Sequence, residues 1–171
     1  MNNAVKSTVA LTAICAAVCT ALAFVNMLTK DRISQTENNA LQQSLRTSFG
    51  DGDYIKLDEQ HEGINQVILD RNGQLIYDIT SSGYEKNSQH LLIGIADGAV
   101  TKVQIVSILD SPTQAAAVSD SQFLEQFRGQ TDPDAAFDAV SGATKSSAGI
   151  RNAVSAALKA YYENRELNEN E

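Results

Sequence analysis

Cysteine is nearly absent. Cys15 and Cys19 stand one helical turn apart, and no residue after position 32 carries a thiol. Thiolate ligation of an iron–sulfur cluster by the bulk of the chain is thereby excluded. Consecutive turns of one helix are badly placed for an internal disulfide, so the two cysteines read as small packing or membrane-facing residues. Neither completes a lipoprotein signal, because Ile14 and Val18 precede them where a small residue is needed. Basic charge is also scarce. The net charge is -8; Lys6, Lys30 and Arg32 against Asp31 leave the first 32 residues at +2 and the remainder at -10. An acidic domain of that kind repels nucleic acid and anionic headgroups, which sets a nucleic-acid role aside.

Histidine is limited to His61 and His90, each isolated and read as a surface or core residue rather than a ligand. No His/Cys/carboxylate cluster has metal spacing, and the serines have no visible His and Asp arrangement, so neither a metal centre nor a hydrolase is expected. There are no internal repeats and no low-complexity linker.

The 171 residues are 43% hydrophobic and 20% charged, which fits one globular domain behind an unusual N-terminus. From Ser7 to Leu28 no side chain is charged. At 1.5 Å per residue the run reaches about 33 Å, enough to cross a hydrocarbon core. Ala13, Ala17 and Ala21 make one smooth face suited to close packing against another membrane helix. A cleavable signal ending at Ala21-Leu-Ala23 is the competing reading. The retained anchor is preferred, since apolar residues continue through Phe24, Val25, Met27 and Leu28. Basic residues lie on both sides, so the positive-inside rule gives no orientation. Residues 29–48 read as a stalk helix with Leu41 and Leu45 at helical spacing, ended by Gly50-Asp-Gly52.

A β part follows. Ile64–Leu69 and Leu75–Ile79 flank the turn Asp70-Arg-Asn-Gly73; Leu91–Ala96 and Val100–Leu109 flank Asp97-Gly98, the strongest hairpin signal in the chain. The last run is apolar on much of both faces, which predicts a central, covered strand. Asp110-Ser-Pro112 stops it. Ser119 and Gln122 have capping-box spacing ahead of a short helix through Phe123, Leu124 and Phe127 that ends at Gly129. Ile150, Val154, Ala157, Leu158 and Tyr161 then form a stripe that predicts a core-facing helix over 147–162, with a frayed acidic tail from Glu163.

Between those two helices lies Asp138-Ala-Val-Ser-Gly-Ala-Thr144-Lys-Ser-Ser147, rich in hydroxyls and small residues and leading into the helix. The first amides of a helix attract phosphate, and Lys145 adds a positive charge. On local chemistry alone a plain capped helix start is the commoner meaning of such a stretch. It is not a Walker A loop, since Thr144 rather than glycine precedes Lys145.

The stretch resembles the flavin-attachment motif of the FMN-binding domain family. That family includes the G component of the Rnf-type ion-translocating electron-transport complex and the C component of sodium-pumping NADH:quinone reductase. The resemblance to the Rnf component extends to Val25–Ile33, to Gly83-Tyr84 with Leu91-Leu-Ile-Gly94, and to Phe123–Gln130. It implies FMN joined to Thr144 by a phosphodiester, with Ser141, Gly142, Ala143, Lys145 and Ser146 around the cofactor. It further implies that Asp138 belongs to the signal read by a dedicated flavin transferase during maturation. Where the family usually has Glu-Thr-Pro-Gly-Leu-Gly, this chain has Asp110-Ser-Pro-Thr-Gln-Ala115, so a tight turn near the flavin is expected to differ. Tyr84 is expected in the core, with stacking on the flavin ring as the alternative.

Together these expectations describe an α+β protein. A tail (1–6), a single transmembrane helix (7–28) and a stalk (29–48) precede an FMN-binding domain (49–162) with a mostly antiparallel sheet and flanking helices, and an acidic tail (163–171). It would be an electron-transfer subunit in the inner membrane with its domain on the periplasmic side, partnered by other membrane subunits of an Rnf-type complex and without turnover of its own. A flavin-free assembly module and a stand-alone extracytoplasmic flavoprotein are the alternatives.

Overall fold

The computed structural model describes residues 3–169, and the side chains of residues 8, 9, 11–26 and 39–165. The chain divides into two compact units, Met1–Gln43 and Ser44–Glu171. Met1 and Asn2 of the expected tail, and residues 170–171 of the acidic one, lie outside the described residues.

Helix α1 spans Asn3–Phe49, so the expected span and stalk fall within one helix. Val9, Leu11, Ile14, Val18, Leu22, Phe24 and Val25 are all more than half exposed along it. Among the described residues no helix is long and apolar enough to cross a membrane. Of the expected span 7–28, the side chains of Ser7, Ala10, Met27 and Leu28 lie outside the described residues, as do those of Lys30 and Arg32 after it.

The second unit is built on a five-stranded antiparallel meander in the order β1-β2-β3-β4-β5. Its strands are β1 (Ile55–Leu57), β2 (Ile64–Leu69), β3 (Leu75–Ser81), β4 (Gln89–Ala96) and β5 (Ala99–Ile108). The turn between β2 and β3 is closed by the Asp70 carboxylate, which accepts from the amides of Asn72 (2.7 Å) and Gln74 (2.8 Å). The turn between β4 and β5 has φ of +53° at Asp97 and +79° at Gly98, both positive as a tight hairpin turn demands.

One face of the sheet carries Val67, Tyr77, Ile79, Leu91, Ile93 and Ile95, all buried. These pack with Ile150, Ala153, Val154, Ala157 and Leu158 of helix α4 (Thr144–Glu169), the stripe predicted from helical spacing. On the other face Ile68, Ile76 and Leu92 are buried. There the last turn of α1 closes in: a Cβ on Gly94 would lie 2.5 Å from the Phe49 ring, and Ser48 donates to the Gln104 side chain at 2.7 Å. The same face holds Asp78, 3% exposed, which receives Asn65 (2.9 Å), Gln66 (2.7 Å) and the His90 imidazole (2.6 Å). Burial works to raise the Asp78 pKa, but these partners outweigh it and hold the carboxyl below its ordinary range. His90 is therefore not the isolated side chain the sequence implied.

Four local expectations are corrected. β5 is an edge strand, not a central one. α3 (Ser121–Glu125) packs against it, and its first edge groups are taken up where Val100 N–H donates to Gln130 C=O and Gly129 N–H donates to Val100 C=O. Asp120, not Ser119, caps α3, accepting from the Gln122 amide at 2.8 Å, while the Ser119 hydroxyl turns back to Ala115 C=O. Pro112, read as a stop, also begins a helix, α2 (Pro112–Val118), because proline suits a first helical position. Finally, α4 starts three residues earlier than predicted and continues through Glu169, well into the expected frayed tail.

Leu158 is fully buried between α4 and the sheet. Leu158→Ala should lower stability by about 2–5 kcal/mol in chemical denaturation, the usual range for a cavity in a core.

Candidate functional site

The attachment-like stretch enters α4 through a tight turn. Ala143 N–H donates to Val140 C=O at 3.0 Å, and Gly142 at φ +79° supplies the positive φ that this turn requires. The first backbone bond of the helix runs from Ser147 N–H to Ala143 C=O at 2.9 Å. The Ser147 hydroxyl reinforces it: it donates to the same carbonyl at 2.9 Å and accepts from Val140 N–H at 3.1 Å. This double use of Ser147 starts the helix at Thr144 and leaves the amides of Thr144, Lys145 and Ser146 without a partner inside the helix.

Within that turn the predicted residues separate by exposure. Ser141, Gly142, Thr144 and Lys145 are exposed; Ala143 and Ser146 are buried. The Thr144 hydroxyl makes no hydrogen bond among the described residues, so it is open to reaction. Lys145 holds its Nζ 5.2 Å from the centroid of the Tyr84 ring. No acidic residue stands in the first turn of α4. Three unpartnered amides, an ammonium and an exposed hydroxyl form a donor set that fits a phosphate group. Asp138 is exposed, with its backbone clamped by Gln126, whose side chain donates to Asp138 C=O (3.3 Å) and accepts from Asp138 N–H (2.8 Å).

Ser146 departs from its expected part. It is 1% exposed, and its hydroxyl donates to Asp110 Oδ2 at 2.6 Å, so the side chain turns into the protein rather than toward the surface. Asp110, 6% exposed, is the residue that sequence reasoning missed. Its Oδ1 accepts from Ser88 Oγ (2.7 Å), Tyr84 N–H (3.1 Å) and Glu85 N–H (3.2 Å); its Oδ2 also accepts from Gln89 Nε2 (3.0 Å). Gln89 donates in turn to Ser146 C=O at 2.9 Å. Burial works to raise the Asp110 pKa, but the hydrogen bonds from Ser146, Ser88, Gln89 and the Glu85 amide bring it down to about 2.

Two glycines record how closely these segments meet. A Cβ on Gly149 would lie 2.5 Å from Gln89 Oε1 and 2.6 Å from Ser82 C=O, and one on Gly83 would overlap Asp110 and Gln89. The segment Asp110–Ala115 thus supplies a carboxylate anchor and the start of α2. Tyr84 is 56% exposed and is not a core residue. Among the described residues no group of His, Cys, Asp and Glu could hold a metal ion.

Residues 83–159 match the FMN-binding domain family, a span that opens on the Gly83-Tyr84 turn and runs through the Thr144 turn into α4. Residues 1–47 match the RnfG N-terminal region. The chain belongs to the RnfG-type FMN-binding subunits. No curated protein and no solved structure matches significantly. For an RnfG-type protein, the donor set around Thr144 suits the phosphate end of FMN, and FMN when bound supplies the redox chemistry. Thr144 and Lys145 stand exposed at that turn, with the buried Asp110 behind it.

Asp110→Asn sets an amide against donors that all need an acceptor. It should cost on the order of 3 kcal/mol at neutral pH, since several buried donors lose their partner. The native pKa of Asp110 is depressed, so its contribution is complete above its unfolded value near about 4 and fades as pH falls toward 2. Denaturation across that window should show wild type losing stability more steeply than Asp110→Asn.

Proposed function

We propose that this RnfG-type protein carries FMN covalently, as a phosphodiester on Thr144 Oγ, and passes electrons within an Rnf-type complex that couples electron flow to ion translocation. The observation that carries the reading is the state of Thr144. It is the first residue of α4, exposed, without a hydrogen-bond partner among the described residues, and beside three free amides and Lys145. A flavin transferase approaching from solvent meets no obstacle at that oxygen. In the transfer from FAD, the threonine oxygen forms a bond to the FMN phosphorus, the pyrophosphate bond breaks, AMP leaves, and the hydroxyl proton passes to solvent or a base of the transferase. The exposed Asp138 belongs to the surface that the transferase reads.

The placement in a membrane is part of the same proposal. The match of residues 1–47 to the RnfG N-terminal region supports it, as do the uncharged run Ser7–Leu28 and the apolar side chains that α1 exposes from Val9 to Val25. In this reading the domain of residues 49–162 lies on the extracytoplasmic side of the inner membrane, and the partners are other membrane subunits of the complex.

Co-expression with a flavin transferase should yield a protein that keeps flavin fluorescence on a denaturing gel. Thr144→Ala should abolish that fluorescence while leaving the circular dichroism spectrum unchanged, because the side chain is exposed and bonds nothing. Fluorescence retained in the variant would sink the proposal.

A further inference from the structure

The hydroxyls of the turn that opens α4 are not equivalent. Ser147, fully buried, spends its hydroxyl on Ala143 C=O (2.9 Å) and Val140 N–H (3.1 Å). Ser146, 1% exposed, donates to Asp110 Oδ2 at 2.6 Å. Ser141 and Thr144 are exposed, and neither hydroxyl is bonded among the described residues. Of these two, only Thr144 belongs to the helix.

The direction in which Thr144 points follows from Ser146. Successive residues of an α-helix are rotated by about 100°, so positions two apart lie roughly 200° around the axis. A first turn that holds Ser146 inward therefore holds Thr144 outward. Ser146 is gripped at two atoms. Asp110 Oδ2 takes its hydroxyl, and Gln89 Nε2, bonded to the same carboxylate oxygen at 3.0 Å, donates to its carbonyl at 2.9 Å. The other oxygen of Asp110 is anchored on Ser88 and on the amides of Tyr84 and Glu85. The carboxylate thus locks the rotation of the first turn of α4 against the end of β5 and the loop ahead of β4. It is not a base for the reaction. Its burial notwithstanding, its donors hold its pKa at about 2, far below that of a group that takes up a proton at neutral pH.

We infer that Asp110 is a positioning residue for flavin attachment: acting through Ser146, it turns the Thr144 hydroxyl outward and keeps Ser146 from competing for the phosphoryl group. The inference rests on FMN being carried at Thr144. In that transfer the Thr144 oxygen bonds to the FMN phosphorus, the pyrophosphate bond of FAD breaks and AMP leaves. The hydroxyl proton goes to solvent or to the transferase, and Asp110 exchanges no atom and no proton.

The test uses full-length protein purified without flavin and then treated with purified flavin transferase and FAD, with the adduct followed by intact mass. Wild type that gains no adduct contradicts the attachment reading itself. With wild type flavinylated, Asp110→Asn should lower kcat for attachment about tenfold. KM should stay at its wild-type value, because the exposed surface that meets the transferase is unchanged. Ser146→Ala, a milder change, should also lower kcat, and the double variant should be no slower than Asp110→Asn alone, since both lose the same contact. Leu158→Ala opens a cavity in the core far along α4 from the turn, and it should take up FMN at the wild-type rate. A wild-type kcat in Ser146→Ala overturns the inference, and does so even if Asp110→Asn fails to fold. An equal loss in Leu158→Ala also overturns it, by reducing the effect to stability. Additive slowing in the double variant does the same, by separating Asp110 from Ser146.

Discussion

A charged carboxylate buried in a domain has to be surrounded by donors, because desolvation without them costs more than a small fold can lose. At Asp110 those donors come from the backbone of the Tyr84–Glu85 turn, the Ser88-Gln89 pair at the start of β4, and the Ser146 hydroxyl in α4. No one segment satisfies it. The end of β5, the loop ahead of β4 and the first turn of α4 must meet at one point, and the small residues Gly83 and Gly149 let them do so. That meeting fixes the turn in which Thr144 sits. The geometry of the surface threonine is therefore set by an interaction hidden behind it.

Helix α4 joins stability to function in one element. Its apolar stripe closes the core over the sheet, while its first turn presents unpartnered amides to solvent. Lys145 in that turn works against the helix dipole, and the Tyr84 ring partly compensates. An arriving phosphate would relieve the same conflict more fully. In the proposed reading, the turn favours an anion at a modest electrostatic cost to the free protein. Because the helix is long and its apolar face is deeply buried, that cost is easily carried.

Much of the second unit was legible because its signals are short-range. Strands β2 to β5 announced themselves by apolar runs between Asn-Gly and Asp-Gly turns, and α4 by its stripe from Ile150 to Tyr161. What could not be read depended on distant partners. Asp110 looked like a strand stop; its donors lie 21 to 36 residues away in the chain, and no local pattern points to them. β5 looked central because it is apolar on much of both faces, yet it is the last strand of the sheet and its outer edge is met by the 129–130 segment. Pro112 carried two meanings, a strand end and a helix start, and only packing chose between them. The start of α4 was missed by three residues since Ser147, the supposed first residue, instead bonds back to Ala143 and Val140. Thr144 itself was singled out by family resemblance, and the fold adds what the resemblance left open: an exposed hydroxyl in a fixed turn.

The central claim is a single covalent bond at Thr144. Its most direct measurement is fragmentation mass spectrometry of the peptide spanning residues 138–151, from full-length protein matured with a flavin transferase. The account predicts one FMN phosphoryl adduct located on Thr144, with Ser141, Ser146 and Ser147 unmodified. An adduct on any of those serines, or an unmodified peptide from a preparation in which the transferase is active on another substrate, would contradict it.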